Sequence, residues 1–257
     1  MARKKKKSAK KRKIKWALAL QVASIVVLLL VLTPYFNGSQ PQSGYGVNLS
    51  KAVIIDGIAL TKPNPEFIQG VKEVLSQAGL EVDVYQGEKV TIELLRNISG
   101  YGLIILRVHS AIYKRYGFLY LFSAEKYSAY KYIPEQIQSA VKEAYTFNEN
   151  EGPYFALRAD LLGDKGSLSG SVIILMGCNG TNSKHATNKL FERGVKAIIA
   201  WNGYVDLEYS DNITLNLLKA VYAHGLSFKK AIEKLMNKFG SDPLWKSKLE
   251  CLTPNNS

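Results

Sequence analysis

Five side chains able to do chemistry stand just past apolar, β-branched runs of this 257-residue chain. Asp56 closes the run 52–55, His109 follows 103–108, Cys178 follows 172–176 across one glycine, and Asn202 and Asp206 follow 197–201. A thiol and an imidazole delivered to one edge of a sheet suit nucleophilic acyl transfer: His109 takes the proton of Cys178 and the thiolate attacks a carbonyl. The amides of Cys178 and Ser110 would then bind the oxyanion of the tetrahedral intermediate. Gly177 and Gly180 would let a substrate backbone come close. Asp56 and Asp206 could project over the same edge and form an acidic substrate pocket, favouring Arg or Lys before the scissile bond. Plainer readings stand beside these. A lone cysteine at a strand end is often a small buried hydrophobe, Asp56 also begins an Asp-Gly turn, and Asp206 also suits a solvated loop. His185 reads as a helix-surface residue and His224 as a cation at a helix C-terminus. Three His and two Cys show no metal-ligand spacing, and no glycine-rich phosphate loop is present, so neither metal nor cofactor is expected.

For these residues to meet, the apolar runs must be strands of one sheet running in the same direction. The residues between them allow it. Asn64-Pro65 is a cap and first-turn pair for an amphipathic helix over 66–78, and 81–85 reads as a strand. A short helix fits 91–97. A Tyr-rich stretch, 113–132, reads as a hairpin, and a helix is expected near 135–144. Further helices are expected over 184–193, closed by Gly194, over 213–223, and from the Ser227 cap to 239. Continuous apolar strands separated by helices predict an α/β fold with a mainly parallel sheet covered on both faces. In such sheets ligands bind beyond the carboxyl ends of the strands, which is where the five residues stand.

The formal net charge of +13 comes from a tail: ten of the 34 Lys and Arg lie between residues 3 and 15, where no acidic residue occurs, leaving 24 basic against 21 acidic residues elsewhere. A charge confined to a tail argues against nucleic acid as a partner. The uncharged run 16–32 follows directly and ends at Thr33-Pro34-Tyr35-Phe36, without a small-x-small cleavage site. This reads as an uncleaved transmembrane anchor, with the tail cytoplasmic and the domain extracytoplasmic; a cleaved signal is the competing reading. The expected organisation is a basic tail (1–15), an anchor (16–36), a Gly/Ser/Gln-rich stalk (37–50) and one α/β domain (51–257). Asn-x-Ser/Thr sequons at Asn37, Asn48, Asn97, Asn179, Asn212 and Asn255 number six, where 15 Asn and 28 Ser and Thr would give about two by chance, so surface glycosylation is expected.

The segments ILRVHSA (105–111) and VIILMGCNGT (172–181), followed by GVKAIIAWNGYVDLEYS (194–210), resemble the caspase-like cysteine peptidase superfamily, particularly its CHAT branch. The resemblance implies a caspase-like three-layer α/β sandwich. Family members pair a His after one strand with a Cys after the next parallel strand, and these roles map onto His109 and Cys178. It further implies a thiol endopeptidase acting on a peptide or protein substrate, and a basic preference is found among some relatives. The alternative expectation is a non-catalytic binding module of the same fold on a membrane stalk.

Overall fold

The computed structural model describes residues 48–254. The basic tail, the anchor and most of the stalk lie outside the described residues, as do the sequons at Asn37 and Asn255. Among the described residues no helix is long and apolar enough to cross a membrane.

The main sheet has six strands in the order β10-β9-β8-β3-β1-β2. Its members are β1 (Asn48–Asp56), β2 (Glu81–Gln86), β3 (Tyr101–Arg107), β8 (Val172–Leu175), β9 (Ala197–Trp201) and β10 (Leu249–Leu252). β10 runs antiparallel to β9, and all the other pairings are parallel. Alternation along each strand sends side chains to two separate cores. Val53, Ile55, Ile104, Leu106, Ile173 and Leu175 enter one, while Ala52, Ile54, Leu103, Ile105, Ile174 and Trp201 enter the other. Burial on both faces explains why these strands read as unbroken apolar runs.

The second core is closed by α1 (Pro65–Gln77), α5 (Leu207–Leu218) and α6 (Phe228–Phe239). Asn64 caps α1 by accepting from the Phe67 amide at 3.0 Å, with Pro65 at the first position. The first core is closed by α2 (Ile92–Asn97), α4 (Lys184–Glu192) and a second sheet. Gly194, at φ +85°, lets the chain leave α4 for β9.

That second sheet is antiparallel, in the order β4-β5-β7-β6. The hairpin expected in the Tyr-rich stretch is its first half, β4 (Ser110–Tyr113) and β5 (Phe118–Lys126). The helix expected near 135–144 is corrected: α3 covers Ile133–Ile137 alone, Ser139 takes φ +54°, and the chain continues as β6 (Val141–Ala144). β7 (Tyr154–Arg158) completes the sheet. α5 begins six residues earlier than its apolar pattern indicates, because its first buried position is polar. Ser210 is satisfied there by donating to Met176 O at 3.1 Å and accepting from Trp201 Nε1 at 3.0 Å.

Candidate active site

β3 and β8 are adjacent and parallel, with Leu106 opposite Leu175, so the turns that follow them emerge side by side. His109 lies in the turn from β3 into β4, and Cys178 lies in the turn from β8 toward α4. The two turns are packed together. A Cβ added to Gly177 would stand 2.4 Å from Ser110 Oγ and 2.5 Å from Val108 O, so glycine is what lets the Cys178 turn touch the residues on both sides of His109. Ser110 Oγ donates to Cys178 O at 2.6 Å and ties the turns directly. Gly180 is equally tight, since a Cβ there would meet the Ala200 Cβ at 2.4 Å. Both glycines are therefore filled by the protein's own atoms, and the expectation that they make room for a substrate backbone is corrected. Between them Asn179 adopts φ +59° and donates its amide to Gly203 O at 2.7 Å, which fixes the Cys178 turn against the segment after β9.

The His109 ring is largely buried and packs edge-on to Phe122, with centroids 5.9 Å apart. Burial holds the imidazole below its ordinary titration range; Glu151 opposes this, and Arg107 and Lys62 add to it. The ring is thus neutral at physiological pH and able to accept a proton. Cys178 is a free, half-buried thiol. Burial raises it above the ordinary cysteine range; a hydrogen bond from the Val205 backbone works the other way, and the Asp242 carboxylate adds to the rise. A thiol so placed is protonated at neutral pH and needs a base to become a nucleophile.

Ser110 has a second feature of use. Phe122 N donates to His109 O at 2.9 Å, so Ser110 and Leu121 form a non-hydrogen-bonded pair and the Ser110 amide points away from β5. The other expected residues are placed differently. Asp56 is fully buried and accepts from Arg107 Nη1 at 2.9 Å and from Gln86 Nε2 at 3.5 Å. Asp206 caps α5 by accepting from the Tyr209 amide at 3.0 Å, and its own amide donates to Asp242 Oδ2 at 2.8 Å. These two carboxylates therefore do not form the open acidic pocket expected of them: one neutralises a buried guanidinium and the other is held in a helix cap. Asn202 is also structural, donating to Glu250 Oε1 and accepting from the Lys248 amide, each at 2.8 Å, across the β9–β10 join.

The segment after β9 also belongs to an aromatic row. Phe147, Tyr204 and Trp245 come from three separate loops, all three are exposed, and they line up with ring centroids 5.9 and 5.3 Å apart. Tyr204 precedes Val205, and the Trp245 amide donates to Asp242 at 2.5 Å. Neither this row nor the buried Arg107 figures among the residues expected from sequence. Arg107 carried a signal, as a charge inside an apolar strand is almost always paired.

Among the described residues no group of His, Cys, Asp and Glu could hold a metal ion. Compared with known protein families and with curated proteins, the chain matches none.

Proposed function

We propose that the chain is a thiol peptidase in which Cys178 is the nucleophile and His109 its base, held outside a membrane by the N-terminal anchor. The observation that carries this reading is the delivery of both residues by adjacent parallel strands into two turns packed through Gly177. The caspase-like resemblance calls for the same arrangement. In the proposed reaction neutral His109 takes the thiol proton, the thiolate adds to the scissile carbonyl, and the Ser110 and Cys178 amides stabilise the oxyanion. His109 then gives the proton to the leaving amine, and water hydrolyses the acyl-enzyme. A stalk between domain and membrane suits a polypeptide substrate reaching the site from solvent.

The half-buried position of the free Cys178 thiol favours a second reading, a binding module that keeps the fold without catalysis, because burial works against the thiolate. Alkylation distinguishes the two. Cys251 is likewise half-buried and raised by burial, with Lys229 opposing, so it serves as an internal control. With iodoacetamide near neutral pH, a base-assisted Cys178 is modified much faster than Cys251, as read by peptide mass mapping. Equal, slow labelling of the two cysteines supports the binding module.

A further inference from the structure

The face of the small sheet turned away from the main core is also apolar. Strand alternation sends Leu119, Leu121 and Leu157 inward, while Tyr120, Phe122 and Ala156 form a separate buried cluster on the other side. A cleft of about 190 Å³ lies over this cluster, between Tyr113 on β4 and Tyr145 just past β6. Its polar groups are already engaged. Tyr120 Oη donates to Ser139 O at 2.7 Å, Tyr145 Oη donates to Glu143 Oε1 at 2.8 Å, and the Lys142 ammonium sits 4.7 Å over the Tyr113 ring. What the cleft offers a ligand is apolar wall, and its volume is below the roughly 300–1,000 Å³ typical of small-molecule sites.

The cleft adjoins the candidate active site, because Phe122 is part of its floor and also packs edge-on to the His109 ring. β4, which begins one residue after His109, is an edge strand paired with β5 alone. An extended polypeptide laid along its open edge would hang alternate side chains over this outer face, where Ala111 leaves a gap in the rim. We infer that the cleft is a specificity pocket for one large apolar side chain, aromatic or long aliphatic, of a polypeptide whose scissile bond lies at Cys178. The inference rests on the proposed role of Cys178 for the scissile bond, but not for the pocket itself. It replaces the basic preference expected from Asp56 and Asp206 with an apolar one.

The test uses the full chain and a library of short fluorogenic peptides randomised on both sides of one bond. It is run as hydrolysis with the wild type and as binding, by fluorescence anisotropy, with Cys178→Ala. At one position Phe, Tyr, Leu or Met is preferred over Ala, Lys and Asp by about tenfold or more, as expected for burying a large side chain. Ala111→Trp, at an exposed strand position, fills the cleft from its rim and removes that preference in both assays; Ala144→Phe does the same from the opposite wall. Unchanged circular dichroism shows that each variant is folded. Apolar selection in binding that is lost in Ala111→Trp, with no hydrolysis by the wild type, keeps the pocket and removes the peptidase. Hydrolysis whose selectivity ignores both substitutions, or favours Lys or Arg, removes the pocket and keeps the nucleophile. Neither binding nor hydrolysis of any peptide overturns both.

Discussion

Arg107→Met lowers the free energy of unfolding by about 3–5 kcal/mol, read as a fall in the urea midpoint at unchanged slope. Arg107 is 1% exposed and sits between two buried carboxylates. Its Nε and Nη2 reach the two oxygens of Asp211 at 2.9 Å each, and its Nη1 reaches Asp56 at 2.9 Å and Lys62 O at 3.0 Å. The replacement keeps an apolar stem but lacks the guanidinium, so two carboxylates lose their counter-charge away from water. That desolvation, rather than a missing contact, sets the size of the effect. Arg107→Lys does not restore stability, because one ammonium cannot point along all of these directions. The cluster joins the end of β1, the end of β3 and the first turns of α5, and Asn64 adds the start of α1 by donating to Asp211 at 2.8 Å. It therefore braces the edge from which His109 emerges. A midpoint shift worth less than about 1 kcal/mol would show the cluster to be dispensable.

His109→Ala lowers kcat/KM on any peptide the protein cleaves by about 10²–10⁴-fold at neutral pH. Even an ordinary cysteine has only a few per cent of thiolate at pH 7, and burial leaves Cys178 with less. Without the imidazole the thiol must ionise unaided, so the activity of the variant climbs continuously into the alkaline range. The wild type shows a different limb. It needs neutral His109, whose titration lies below the usual imidazole value of about 6.5, so activity persists through neutral pH and falls only in acid. Loss of that acid limb in the variant separates a base from a residue that merely packs against Phe122. A variant within a few-fold of wild type, with the limb intact, assigns the proton transfer elsewhere.

Much of the fold was legible because strands buried on both faces leave a plain signal. The runs at 52–55, 103–108, 172–176 and 197–201 all fall on strands of the main sheet, with Val108 and Met176 one residue past the strand ends, and the Asn64-Pro65 and Ser227 caps begin helices where expected. The small sheet was only half legible. Residues 135–144 hold a five-residue helix and a four-residue strand, each too short to show a period, and the switch between them is made by a serine in a left-handed conformation that nothing in the sequence marks. At the site, the turns carrying His109 and Cys178 could be placed because each follows an unbroken apolar run buried on both faces. The carboxylates could not be placed. Whether Asp56 faces a substrate or a guanidinium depends on Arg107 and Asp211, which lie 51 and 104 residues apart from their partners in the chain. The aromatic row likewise comes from three loops that only the tertiary fold brings together.

Cys178→Ala in a peptide-hydrolysis assay with the full chain decides whether Cys178 is the nucleophile. Cleavage of every peptide turned over by the wild type falls to background in the variant, while its circular dichroism spectrum and thermal midpoint match those of the wild type. Wild-type turnover by a folded Cys178→Ala protein would rule Cys178 out as the nucleophile.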